Sequence, residues 1–176
     1  MIKKISLKKF IIISIIFSSV VGILLHFLYE WSNKNCVVSL FSAVNESTWE
    51  HLKILFFPML ITTIIGYFYY RDIDNYLCSN FKGILLAMLF IVVFFYTYTG
   101  VFGISSTFIN ILSFIVSIIL GELYAYRDIL KNECCNKVIP VILLVFLISI
   151  FIIFTFKPPR IGLFLDPVTK TYGINN

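Results

Sequence analysis

The chain has 176 residues, 60% of them hydrophobic and only 13% charged, with a mean hydropathy of +0.97. A soluble fold cannot hide that much apolar surface, so lipid must be the solvent for most of it. The net charge of +5 is accounted for by cations in loops and gives no sign of a nucleic-acid partner.

The first apolar stretch covers 10–29 and follows Lys3, Lys4, Lys8 and Lys9. It is longer than a secretory signal core and no A-x-A-like site follows, so it reads as an uncleaved membrane span. Ser14, Ser18, Gly22, His26 and Glu30 recur every four residues along it and form one ridge. Small residues on such a ridge let helices pack closely in lipid. His26 lies about 7 Å below Trp31 at 1.5 Å per residue, just inside the apolar layer. An ionisable group at that depth faces the bundle interior with a partner, and Glu30, four residues on, is the nearest candidate. Tyr29, Trp31 and Trp49 stand where interfacial aromatic belts form.

The connection that follows ends in Asn45-Glu46-Ser47-Thr48-Trp49-Glu50-His51. Ser47 and Glu50 fit a capping box, with Ser47 accepting from the Glu50 amide and Glu50 reaching back to Ser47. The free amides at this helix start favour an anion. Two helix ends thus offer His26, Glu30, Glu46, Glu50 and His51. His26, Glu30, Glu46 and His51 could hold zinc or another divalent transition metal, although their spacing matches no established zinc signature. His51 with Glu50 or Glu46 is the candidate pair for metal-free acid/base catalysis, and His26 and Glu30 are further catalytic candidates. Asn45, Tyr96 and Asp166 are further candidates for lining the same pocket.

Four more apolar stretches, at 54–70, 83–98, 104–126 and 138–156, are long enough to cross a ~30 Å hydrocarbon layer as helices. Pro58 lies inside the second and frees a carbonyl that neighbouring helices must satisfy. The third ends in Tyr96-Thr97-Tyr98-Thr99-Gly100, where hydroxyls could line a cavity; interfacial anchoring is the reading for Tyr98. On the fourth, Ser106, Asn110, Ser113, Ser117 and Gly121 share a packing face. Cys78, Cys134 and Cys135 fall on the inner side and Cys36 alone on the outer, so no outer disulfide is expected; adjacent Cys134 and Cys135 lack C-x-x-C spacing and read as inert, with palmitoylation the alternative. Past 156 the chain runs Lys157-Pro158-Pro159-Arg160 and then Ile161 to Pro167. Its apolar residues and the Asp166-Pro167 turn signal predict a segment folding back over the bundle as a lid.

The whole chain, 1–176, reads as one all-α domain of five transmembrane helices. Placing the N-terminus in the cytoplasm puts nine of the 14 Lys and Arg residues inside and five outside. The C-terminus and the polar cluster then face outward.

Several strings have a familiar look: H-F-L-Y-E-W-S at His26–Ser32, N-E-S-T-W-E-H-L-K at Asn45–Lys53, Y-T-Y-T-G at Tyr96–Gly100, F-K-P-P at Phe156–Pro159 and L-F-L-D-P…Y-G-I at Leu163–Ile174. Together they resemble a family of small polytopic bacterial membrane proteins described only as a domain of unknown function. The resemblance implies a multi-pass protein of the bacterial plasma membrane and carries no activity with it. Three functions compete on the residues. They are an envelope hydrolase or transferase at the outer leaflet, a small-solute binding or transport component, and a structural or regulatory subunit of a membrane complex. A lipid or small molecule is the expected ligand, and a second copy or a partner membrane subunit the expected protein contact.

Overall fold

The computed structural model describes residues 6–174. Five helices account for most of them: α1 (Leu7–Trp31), α2 (Thr48–Tyr70), α3 (Tyr76–Phe102), α4 (Thr107–Lys131) and α5 (Val138–Phe156). All five are long and apolar enough to cross a membrane, and no strand occurs among the described residues. α1 and α3 extend past their apolar stretches at both ends, α2 at its start and α4 at its end, while α5 matches its stretch. Thus α2 starts at Thr48, where the Ser47 hydroxyl accepts the Glu50 amide at 3.4 Å. The other half of the expected capping box does not form. The Ser47 amide bonds to Asn45 Oδ1 at 2.9 Å, which frees the Glu50 carboxylate to point elsewhere.

Small residues set the helix spacing. A Cβ on Gly83 would come within 2.5 Å of the Gly121 carbonyl, and one on Gly121 within 2.6 Å of the Gly83 carbonyl. α3 and α4 therefore touch through their backbones. On α1, Ser14, Ser18 and Gly22 are buried, as the ridge predicts. Gly22 has a specific neighbour. A Cβ there would stand 3.1 Å from the Ile54 carbonyl and 2.5 Å from the Phe114 ring. Ile54 lies four residues before Pro58, so its carbonyl lacks the usual helical donor. Glycine lets α1 approach that oxygen.

The expected aromatic belt is mostly core. Trp31 is 65% exposed, but Tyr29 is buried, and Trp49 is packed against Phe151 at 4.6 Å and Phe164 at 4.8 Å. Trp49 sits in the first turn of α2 on the side that faces α5 and the tail, so packing overrides its interfacial preference. The cysteine reading is also corrected. Cys78 of α3 and Cys135 of the α4–α5 connection form a disulfide, because the antiparallel α3–α4 pair returns the chain beside the start of α3. At that same end Asp128 accepts from Ser79, Lys82 and Lys131 at 2.9–3.0 Å. Deeper in the bundle, α4 buries Glu122.

Candidate functional site

At the opposite end of the bundle, α1 brings up His26, α2 brings down His51, and the loop before α2 supplies Glu46. His26 Nε2 lies 3.4 Å from Glu46 Oε1, and His51 Nε2 lies 3.9 Å from Glu46 Oε2. One ligand atom from each of the three residues falls within 4.8 Å of the others. The rings themselves stand 5.3 Å apart. Tetrahedral zinc ligands at ~2.0–2.1 Å from the metal stand about 3.4 Å from one another. One edge of the cluster already has that length, and a modest closing of the side chains would bring in the third donor.

The tautomer of His51 favours the same reading. Its Nδ1 is 2.8 Å from the Ser47 carbonyl, which can only accept, so Nδ1 carries the proton. Nε2 is left with its lone pair toward Glu46. Orientation of an imidazole by a backbone carbonyl on its far nitrogen is the usual support for a metal-ligating histidine. His26 Nδ1 is buried with no hydrogen-bond partner among the described residues. The Glu46 carboxyl is held below its ordinary range chiefly by the hydrogen bond from His26, against the effect of partial burial. It is thus kept in its ligand form.

The C-terminal segment frames this cluster. Asp166 is only 3% exposed. Its Oδ1 accepts the Val168 amide at 2.7 Å and its Oδ2 the Thr169 hydroxyl at 2.9 Å. Burial pushes its carboxyl up, but these bonds and the Glu46 amide outweigh that and lower it overall. The predicted Asx turn is present, and it also fixes the residue that carries the Glu46 carboxylate. A second tie runs from Asn45 Nδ2 to the Gly173 carbonyl at 2.9 Å.

Three cavities meet here, and Glu46 and Val168 line all three. The first, about 370 Å³, is polar and bounded by His26, Glu30, Lys34, Asn45 and Asp166. The second, about 540 Å³, runs from His26 and His51 down between α1 and α4. The third, about 170 Å³, lies between α2, α3 and α4 and is bounded by Thr48, Ser105, Asn110 and Ser113.

Not every predicted residue joins the cluster. Glu30 lines the polar mouth and pairs with Lys34 at 4.0 Å, while Glu46 occupies the place beside His26 that sequence proximity suggests for Glu30. Tyr96 lines none of the three cavities and its hydroxyl points toward Gly162 of the tail. Tyr98 is the inward tyrosine, hydrogen-bonded to Asn110. Glu50 turns into the bundle. Its Oε2 is 2.6 Å from Lys53 Nζ and 3.1 Å from the Val44 amide. Lys53 gives its two other protons to the Ser39 carbonyl at 2.8 Å and the Thr155 hydroxyl at 2.9 Å. In the sequence Lys53 counts only among the five Lys and Arg residues placed outside. The signal was its i,i+3 spacing from Glu50 at the edge of an apolar run.

The model of a family of unknown function (DUF6512) matches residues 1–174. The chain belongs to that family. No curated protein and no solved structure matches it. Family membership therefore supplies no activity, and the cluster geometry is what any functional reading of this DUF6512 member must rest on.

Proposed function

We propose that the protein is a metal-dependent hydrolase of the bacterial plasma membrane, with His26, Glu46 and His51 holding one divalent transition metal, zinc by the chemistry of the donors. The observation that carries this is the convergence of two imidazole nitrogens and a carboxylate oxygen, with His51 oriented by the Ser47 carbonyl. Three protein ligands would leave such a metal free to bind a water. The metal would bring the pKa of that water toward about 7. Such a metal would supply a hydroxide able to attack an ester carbonyl carbon or phosphorus, with the bond to the leaving oxygen broken and that oxygen protonated by the water's proton. Glu30 stands at the mouth, where it can meet a substrate, and the tail from 157 acts as a lid held by Asp166 and Asn45.

The cluster faces outward in this reading, with the N-terminus in the cytoplasm, as the excess of Lys and Arg at the other end supports. One feature pulls the opposite way: the Cys78–Cys135 disulfide would then face the reducing cytoplasm. The two free, exposed cysteines, Cys36 and Cys134, lie at opposite ends of the bundle and decide between them. A membrane-impermeant maleimide on intact cells is expected to label Cys36 and spare Cys134. The reverse pattern would turn the cluster to the cytoplasmic face.

The metal itself is tested by elemental mass spectrometry of the gently purified protein. Close to one zinc or similar ion per chain is expected in the wild type, and none in the His26→Ala/His51→Ala double variant. Metal content that is the same in both would overturn the assignment.

A further inference from the structure

The largest of the three cavities has a polarity gradient. Its upper end is His26, Glu46 and His51, with Thr107 and Asn110 beside them. Its walls below are Gly22, Ile23, Ile54, Ile111 and Phe114, with Phe27 beside His26 at the upper rim. Gly22 and Phe114 are buried, so the cavity is an indentation between α1 and α4 and not merely part of the lipid-facing surface. Ile23, Phe27 and Ile111 are partly exposed and form its side opening. That opening lies within the span of both helices, where the surrounding medium is hydrocarbon. Phe114 is seven residues into α4, so the cleft reaches about 10 Å below the helix start. Its volume of about 540 Å³ falls inside the roughly 300–1,000 Å³ of ordinary small-molecule sites.

We infer that this cleft holds the hydrocarbon chain of a membrane amphiphile, which enters sideways from the bilayer and presents its polar junction to His26, Glu46 and His51. The inference rests on the proposed hydrolase and names its substrate class: a long-chain ester or phosphoester. Water is a poor occupant, because below Asn110 the walls offer it no set of polar partners. The headgroup sits in the polar mouth among Glu30, Lys34, Asn45 and Asp166, on the other side of Glu46. The bond to be cut therefore falls at the point where the wet and dry cavities meet. At the floor of the cleft Gly22 packs directly on the Phe114 ring and the Ile54 carbonyl, where a Cβ would find no space.

The experiment uses the full chain in amphipol with zinc added and three ligands. These are a lysophosphatidylglycerol with one oleoyl chain, farnesyl phosphate, and chain-free glycerophosphoglycerol. At least one chain-bearing ligand is expected to bind about tenfold or more tightly than the chain-free one, an effect that burial of two methylenes supplies. Ile111→Trp, which fills the cleft from its exposed wall, is expected to remove that advantage while zinc content stays unchanged. Phe108→Trp, on the same helix but outside the cleft, should leave binding as it was. Whichever of the acyl and prenyl ligands binds better identifies the kind of chain. Equal binding of the chain-free ligand, or no effect of Ile111→Trp, overturns the proposal. So does a chain that binds nothing while Ile111→Trp converts a dimer to a monomer, since a second copy then fills the cleft. Absence of zinc from wild-type protein that still binds chains through Ile111 would remove the hydrolase reading and leave the cleft standing.

Discussion

Between Glu46 and Lys53 the chain builds two ionic clusters of opposite character. Glu46 with His26 and His51 is partly exposed, its contacts are 3.4–3.9 Å long, and the His26 Nδ1 lacks a partner among the described residues. Glu50 with Lys53 is fully buried, its contact is 2.6 Å, and all three ammonium protons are used. A helix advances about 100° per residue, so His51 and Lys53 stand about 160° apart around the axis of α2. One helix start therefore serves two faces. The first cluster has the loose, converging geometry of a site that waits for another atom. The second closes on itself and ties the first loop, α2 and α5 together. The comparison teaches that charged residues adjacent in sequence need not share a role, and that hydrogen-bond satisfaction tells the two roles apart.

Removing one partner of the closed cluster should have the largest effect. Lys53→Met leaves the Glu50 carboxylate buried without its counter-ion, and thermal unfolding in detergent should register a loss of about 3–5 kcal/mol. Adding Glu50→Gln neutralises the stranded charge and should recover most of it. A double variant as unstable as the single would mean that the Lys53 contacts to Ser39 and Thr155 carry the lock.

The tail tether comes next. Asp166→Ala strands the amides of Val168 and Thr169 and should cost about 1–3 kcal/mol locally. Limited proteolysis should then cut the segment after Pro159 faster while α1 to α5 stay protected.

The open cluster should give the smallest change in stability. His26→Ala and His51→Ala are expected to shift unfolding of the metal-free protein by less than about 1 kcal/mol, since neither histidine is fully buried. A loss as large as that of Lys53→Met would make this cluster a second lock. Glu30→Gln sharpens the assignment further. It should leave both stability and metal content unchanged, because Glu30 pairs with Lys34 at the rim and not with either histidine.

The all-helical, five-span architecture was legible in the sequence because continuous apolar runs in lipid leave the backbone no other way to satisfy its hydrogen bonds. The small-residue ridges on α1 and α4, the Ser47 cap and the Asp166 turn were legible too, since each depends on residues at most a few positions apart. Also legible was that two histidines and several carboxylates belong to one end of the bundle. The tertiary structure alone decided which carboxylate meets them. Glu46 does so because the Ser47 cap, the Asn45 side chain and the Asp166 tether fix the loop backbone from three sides. Glu30 does not, although it lies one turn from His26, because the last turn of α1 carries it to the rim. Trp49, Tyr98, Lys53 and the Cys78–Cys135 pair were likewise assigned by packing. Their roles depend on neighbours twelve or more residues away in other elements, and helical periodicity does not say which helix a given face will meet.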